Sequence, residues 1–191
     1  MPVAFHRQDT PAGAAAVQPV LAEIAADYRL RLADGGTEPP LRGLKLVRDH
    51  RLGALRLARE LGGAGYTAPE FFDYLVALAA ADPDLAHILR IHYALVEELQ
   101  AARDTGIDPE LEAAASIAAA RVKVAIQEPA LRAASRVFDA GGASAVQASA
   151  LLDRHWRNLR TLFSHNPTVY KARVLGDVAV NGAALPDTSF F

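Results

Sequence analysis

The 191-residue sequence contains no cysteine. That excludes disulfides, thiolate metal sites and a cysteine nucleophile, and it fits a reducing cytoplasm. An excess of one charge is also lacking: 20 basic side chains stand against 22 acidic ones, a net charge of −2. A phosphate backbone therefore has no compositional support as a partner, and no nucleic-acid binding is expected. No apolar stretch approaches ~18 residues without a charge, so no membrane span is expected. The opening Met1-Pro2-Val3-Ala4-Phe5-His6 is not a basic stretch followed by an apolar run, and no signal peptide is expected. Aromatics are sparse at 7%, with a single tryptophan, yet apolar residues reach 51%, enough for a core without staples. Alternating stretches long enough to be strands are missing as well. What the chain has instead is alanine and helical periodicity.

Residues 11–34 carry Val17, Val20, Leu21, Ile24, Tyr28 and Leu32 at steps of three and four, one apolar stripe on a helix. Gly35-Gly36 ends it, and Pro39-Pro40 opens a second, short helix through Leu41, Leu44, Val47 and Arg48. Residues 52–67 read as an irregular connector, because Gly62, Gly63 and Gly65 oppose a helix there. Thr67 followed by Glu70 forms a capping box, with Pro69 in the first turn. That helix runs through Phe71, Phe72, Leu75, Val76 and Leu78 to about Ala80, and Asp82-Pro83 breaks and restarts the chain. Leu85 to Gln100 is a further helix, with Leu85, Ile88, Leu89, His92, Val96 and Leu99 on its apolar face; 101–109 is a loop. Glu110 to Ala140 is helical and alanine-rich. Pro129 inside it predicts a kink or split, costing about 3 kcal/mol if unrelieved. Gly141-Gly142 ends this helix. Ser144 starts the next, which carries Leu151, Leu152, Trp156, Leu159 and Leu162 to about His165. Asn166-Pro167 interrupts, 168–179 resumes, and 181–191 reads as frayed. The fold class is all-α, a helical bundle.

Three places carry polar chemistry. His87 and His92 lie five apart, about 140° off a common helix face, which makes them a poor metal pair. No metal site is expected, and a half-buried, hydrogen-bonded helix histidine is the plain reading of either. Asp153-Arg154-His155-Trp156-Arg157-Asn158 is the densest polar cluster. Histidine is the side chain most readily poised for proton transfer near neutral pH. Trp156 and Arg157 offer a flat surface and a fork of donors that suit a planar ring or an anion. The plain alternative is a core tryptophan flanked by solvated arginines. Phe138-Asp139-Ala140-Gly141-Gly142-Ala143-Ser144 joins two helices through paired glycines, where main-chain amides can approach a phosphate. A glycine helix cap is the commoner use of such a pair.

Together these segments resemble a family. Residues 46–99, with Arg59-Glu60-Leu61-Gly62-Gly63-Ala64-Gly65 followed by paired helices, are similar to the N-terminal helical domain of the acyl-CoA dehydrogenase superfamily. Residues 111–186 resemble the end of its C-terminal helical domain. There the run DRHWRNLRTLFSHNPTVYKARVLGDVAVNG resembles the flavin-dependent monooxygenase branch, typified by dibenzothiophene monooxygenase. The branch is also suggested by the lack of any glutamate after Glu128, since many dehydrogenases place a glutamate base just beyond the glycine junction.

The resemblance implies three parts: 1–100 as the N-terminal helical domain, 101–109 as the junction where a β-barrel domain would stand, and 110–191 as a partial C-terminal helical domain. It implies oxygen transfer from a flavin C4a-hydroperoxide to a small organic substrate, with a separate flavin reductase supplying the reduced cofactor. FMN is the branch expectation and FAD the superfamily one. His92 and His155 correspond to the catalytic histidines beside flavin and substrate. Gly141, Gly142 and Ser144 match the junction near the flavin phosphate, and Trp156, Arg157 and Asn158 match cofactor-binding positions. The barrel and two adjoining long helices are missing from the pattern, and Ala58 stands where a proline is usual. The resemblance thus implies an impaired oxidoreductase, cytoplasmic and homo-oligomeric. The alternatives are a non-catalytic helical remnant that self-associates through surfaces left bare, or a stand-alone helical interaction module.

Overall fold

The structure, a computed structural model, describes residues 14–102, 106 and 108–186. Among these residues there are seven α-helices and no strand. The chain divides into two compact units, Met1–Asp104 and Thr105–Phe191.

The first unit begins with α1 (Ala14–Ala33), which packs on α2 (Leu41–Asp49) and α3 (Ala68–Ala81); α3 in turn packs on α4 (Pro83–Ala101). The predicted stripe of α1 supplies Val17, Val20, Leu21 and Ile24 to the core. Farther along, Tyr28 and Leu32 are only half-buried, and the inner face is taken over by Asp27 and Arg31. Gly35 and Gly36 close the helix with φ of +89° and +66°, a left-handed conformation that glycine adopts without strain. The core continues through Val47, Leu52, Leu55, Phe71, Tyr74, Leu78, Leu85, Leu89 and Tyr93. Each large apolar side chain buried there contributes roughly 1.5–3 kcal/mol. Phe72, Val76, Ile88 and Leu99, which the periodicity also placed on apolar faces, are exposed.

The capping box forms as the sequence dictates. The Glu70 amide donates to Thr67 Oγ1 and the Thr67 amide donates to Glu70 Oε2 at 2.8 Å. Asp82 is buried completely. Its Oδ1 accepts from the Asp84 and Leu85 amides at 3.0 Å, capping α4, and its Oδ2 accepts from Arg31. Arg31 Nε also reaches Asp27 at 3.4 Å, and its Nη1 donates to the Glu38 carbonyl at 3.2 Å. One guanidinium therefore joins the end of α1, the loop after it and the α3–α4 break.

The connector is irregular, as expected, but tightly fastened. It contains two single turns of 3-10 helix, Leu52–Ala54 and Arg59–Leu61. The Gly65 amide returns to the Leu57 carbonyl and the Tyr66 amide to the Leu55 carbonyl, both at 2.9 Å. Arg51 donates to the Gly62 carbonyl at 2.8 Å, and Arg56 donates to the Tyr66 carbonyl and to both oxygens of Glu97. A Cβ at Gly63 would lie 1.9 Å from the Leu57 carbonyl oxygen, so only glycine permits that approach.

In the second unit α5 (Pro109–Gly141) is 33 residues long. It runs through Pro129 without splitting, contrary to one of the two outcomes predicted. Pro129 has no amide to offer the Ala125 carbonyl, and both residues are exposed, so the break in the ladder falls on the outer side of the helix. The next helix does not start at Ser144. Gly142–Val146 and Ala148–Ala150 are tight 3-10 turns, Leu151 takes a left-handed φ of +50°, and α6 (Asp153–Ser164) begins only after them. Alpha6 returns along α5: its start shares a recess with Phe138, while Lys123 Nζ donates to the carbonyls of His165 and Asn166 beyond its end. The last helix, α7 (Thr168–Asn181), also packs on α5. Residues 103–105 and 107 of the predicted loop, and 187–191 of the predicted frayed end, lie outside the described residues.

Two predictions follow from this packing. Asp82→Ala removes a buried charge partner and a helix cap, and should destabilise the first unit by about 3–5 kcal/mol. Asp82→Asn keeps an oxygen for the cap but removes the charge facing Arg31, and should cost nearly as much. Urea unfolding followed by circular dichroism measures both, and a near-neutral Asp82→Asn would refute the ion-pair account. At the connector, a Cβ on Gly53 would fall 2.6 Å from His92 Nε2. Gly53→Ala and His92→Ala should each cost about 1 kcal/mol, the net worth of the hydrogen bond between them. The double variant should cost no more than either one, a non-additivity that a double-mutant cycle reads directly.

Candidate functional site

His92 belongs to the first unit. It projects from α4 toward the connector, and its Nε2 donates to the Gly53 carbonyl at 2.9 Å. A carbonyl only accepts, so Nε2 carries the proton and Nδ1 is the acceptor of the neutral ring. The ring stands edge-on to Tyr93, 5.3 Å between centroids. The hydroxyls of Tyr93 and Tyr74 are 2.9 Å apart. Burial pushes the Tyr93 phenol up to about 12 and Tyr74 higher still, so both stay protonated. Close by, the Glu97 carboxylate holds the Arg56 guanidinium above its ordinary value against the opposing effect of burial. Neither Arg56 nor Glu97 is evident from sequence, because they stand 41 residues apart.

The other candidates belong to the second unit. Gly141 ends α5 in helical conformation, and Gly142 follows with φ of +62°. A Cβ on Gly141 would meet the Ala145 methyl at 2.6 Å, so the glycine pair lets the chain double back tightly. Ser144 is exposed within the 3-10 turn. Beside this junction lies a shallow recess of about 310 Å³, lined by Phe138, Ala145, Val146, Leu151, Asp153 and Arg157, among others. Arg157 is held by Asp153, with Nε to Oδ2 at 2.8 Å. The Arg160 guanidinium lies over the ring of Trp156, 5.2 Å from its centroid, and Trp156 as a residue is 39% exposed.

Consecutive helix residues point about 100° apart, so 155–158 cannot all face one site. Arg157 lines the recess; His155 and Trp156 are exposed on α6, and Asn158 is half-buried. Of the predicted site residues only Arg157 lines the recess; Gly141, Gly142 and Ser144 do not, although Phe138 and Ala145 on either side of them do, and His92 belongs to the other unit. Among the described residues no group of three or more His, Asp or Glu side chains is placed to hold a metal ion, and no helix is long and apolar enough to cross a membrane. The second unit's recess is mainly aliphatic, with Phe138 as its one lining aromatic, and its one guanidinium, Arg157, is already paired with the lining carboxylate of Asp153.

Comparison with known proteins fits this architecture. A protein from Pseudomonas putida named "Probable FMNH2-dependent monooxygenase SfnC" is 41% identical over 76 residues, which cover 40% of this chain and 19% of that protein. Dibenzothiophene monooxygenase of Rhodococcus erythropolis is 30% identical over 122 residues, covering 61% of this chain and 27% of the enzyme. The Mycolicibacterium goodii dibenzothiophene monooxygenase is 29% identical over 118 residues. The chain therefore spans less than a third of the length of these curated relatives. No solved structure gives a significant match. The family described as acyl-CoA dehydrogenase, C-terminal domain, matches residues 50–169, well over half of the sequence, and the chain belongs to that family.

Proposed function

We propose that this chain is the helical part of a flavin-dependent oxidoreductase of the two-component monooxygenase type, impaired in this shortened form. The observation that carries this reading is the recess lined by Phe138, Ala145 and Arg157, on the residues that flank the glycine pair and on α6, in a chain of this family whose relatives are named as monooxygenases, one of them FMNH2-dependent. The cofactor is FMN, with FAD as the alternative, delivered by a separate reductase, and the substrate is a small organic molecule. Residues 1–100 correspond to an N-terminal helical domain, 101–109 to the junction of a missing barrel, and 110–191 to part of a C-terminal helical domain. The division of the chain between Asp104 and Thr105 falls inside that junction.

When bound, a reduced flavin supplies the electrons that activate dioxygen, one oxygen atom going to substrate and the other leaving as water. This chain's residues would bind and orient. Gly141, Gly142 and Ser144 let the main chain approach the phosphate, and Arg157 offers a forked donor to it. Trp156 offers a ring face and Asn158 polar contacts. His155 and His92 are the proton-handling candidates, with Nδ1 the free nitrogen of His92. With one side of the recess open, water competes for the site, which is the physical source of the impairment.

A second reading, a non-catalytic helical protein that self-associates, is favoured by the apolar side chains that the second unit leaves in solvent: Leu111, Val122, Ile126, Val169 and Tyr170 are all at least 48% exposed.

An anaerobic titration of the purified chain with reduced and oxidised FMN separates the two. Trp156 is the only tryptophan, so its fluorescence reports on the second unit alone. Saturable micromolar quenching is expected, weakened about tenfold in Arg157→Ala, the scale of one charge-assisted hydrogen bond. Absence of quenching up to high flavin concentration would leave the second reading standing. If binding holds, His155→Ala and His92→Ala should each lower oxygenation by about 10²-fold or more, the range of general acid–base catalysis. Unchanged turnover would remove those two roles.

A further inference from the structure

We infer that Arg56 and Glu97 are a positioning pair for His92: they hold the Gly53 carbonyl against the ring's Nε2 and thereby keep Nδ1 the unprotonated nitrogen. The chemical use of Nδ1 rests on the flavin-dependent reading above, whereas the positioning itself does not.

The connector is bound to α4 at two points. At one, His92 Nε2 donates to the Gly53 carbonyl at 2.9 Å. At the other, the Arg56 guanidinium spans both oxygens of Glu97, with Nε to Oε1 at 2.7 Å and Nη2 to Oε2 at 3.0 Å. His92 and Glu97 are five residues apart in one helix, which separates the two points by about 7.5 Å along its axis. On the connector, Gly53 lies in the 3-10 turn Leu52–Ala54, which Leu55 continues in helical conformation to Arg56. Residues three apart in such a turn fall on the same side, so Gly53 and Arg56 both face α4. A single hydrogen bond would leave the turn free to pivot about the carbonyl. A second point removes that freedom, and a two-bonded guanidinium–carboxylate contact is the more directional kind.

Other contacts hold the turn without aiming it. Leu52 and Leu55 are fully buried, but apolar contact is non-directional. Gly53 has no side chain to fix its own orientation, and none would fit, since a Cβ there would lie 2.6 Å from His92 Nε2. The third arm of the guanidinium, Nη1, donates to the Tyr66 carbonyl at 2.5 Å. One side chain therefore joins the first turn of the connector, its far end and α4. Both members of the pair are half-buried, so salt screens them less than an exposed ion pair. The consequence falls on the ring. A carbonyl only accepts, so while it faces Nε2 the proton of the neutral ring stays there and Nδ1 is open to take another. With the carbonyl turned away, the proton can sit on either nitrogen.

Heteronuclear NMR of the full chain, labelled in its histidines, reads the tautomer directly, and His92→Gln identifies the signal. The unaltered ring should carry its proton on Nε2 and protect it from exchange with water. Arg56→Ala should bring in the Nδ1-protonated form and speed that exchange at least tenfold, the scale of one charge-assisted hydrogen bond. Glu97→Gln should act in the same direction. Arg56→Lys keeps the charge without the fork and should rescue Arg56→Ala only in part. Val20→Ala, on the core face of α1, should lower the urea midpoint yet leave tautomer and exchange unchanged, which separates positioning from a merely structural contribution. If Arg56→Ala does not fold, Glu97→Gln and Arg56→Lys still report. Variants that lose stability but keep a protected Nε2 proton would overturn the proposal, as would a mixture of tautomers in the unaltered chain. No flavin enters this measurement, so a failed FMN titration removes the chemistry and leaves the positioning to be judged on the ring alone.

Discussion

The buried pair of Arg31 and Asp82 is the constraint on which the first unit depends. Asp82 uses one carboxylate oxygen to cap α4 and the other to hold Arg31, whose guanidinium also meets Asp27, the Glu38 carbonyl and the ring of Tyr28. Burial pushes the Asp82 carboxyl up, while the Leu85 amide and Arg31 pull it down. Such a pair adds little net stability over an apolar replacement, but it penalises every arrangement that separates its members. Here it fixes where α1 ends relative to where α4 begins. The direction of α4 then decides that His92 meets Gly53 and that Glu97 meets Arg56, so the connector inherits its position from a contact made at the other end of the helix.

The second unit is organised differently. Its described apolar core is Ala120, Leu131, Ala134, Ala145 and Phe163, mostly small side chains. Its organisation comes from the length of α5 and from the Lys123 contacts that hold the turn after α6. A binding recess needs walls whose rotamers are locked by a supporting layer. The Phe138 wall and the glycine junction lie at the end of α5, so whatever covers the outer face of α5 also stiffens the recess.

Local signals were legible in the sequence because their physics is local. The Thr67–Glu70 box, the Gly35-Gly36 stop and the Asp82-Pro83 restart all involve residues within a turn of each other. The pairs that fasten the unit were not, since Arg31 and Asp82 are 51 residues apart. A signal did exist: Asp27 and Arg31 occupy stripe positions of α1, and charged residues on an apolar face ask for partners. Periodicity also reports which residues are apolar but not which are covered. Alpha4 carries two such rows, Leu85, Leu89 and Tyr93 inside and Ile88, Ile91, Leu95 and Leu99 outside. The Ser144 start failed for a different reason. Alanines there favour helix, but packing of Ala145 against Gly141 and the left-handed Leu151 impose tight turns that propensity does not foresee.

His92 has a structural role in the geometry, and the proposed function gives the same side chain a chemical one. The resemblance places it among catalytic histidines, whereas the geometry makes it the latch between α4 and Gly53. The two roles conflict only if the same nitrogen serves both. Nε2 donates to the carbonyl when the ring is neutral, and it still donates when the ring is doubly protonated, because both nitrogens then carry hydrogen. The latch therefore survives a full protonation cycle at Nδ1. A proton taken up and released at that atom leaves the connector in place, and the fixed Nε2 hydrogen bond holds the ring's orientation while it happens. His155, on an exposed turn of α6, has no such side-chain hydrogen bond among the described residues.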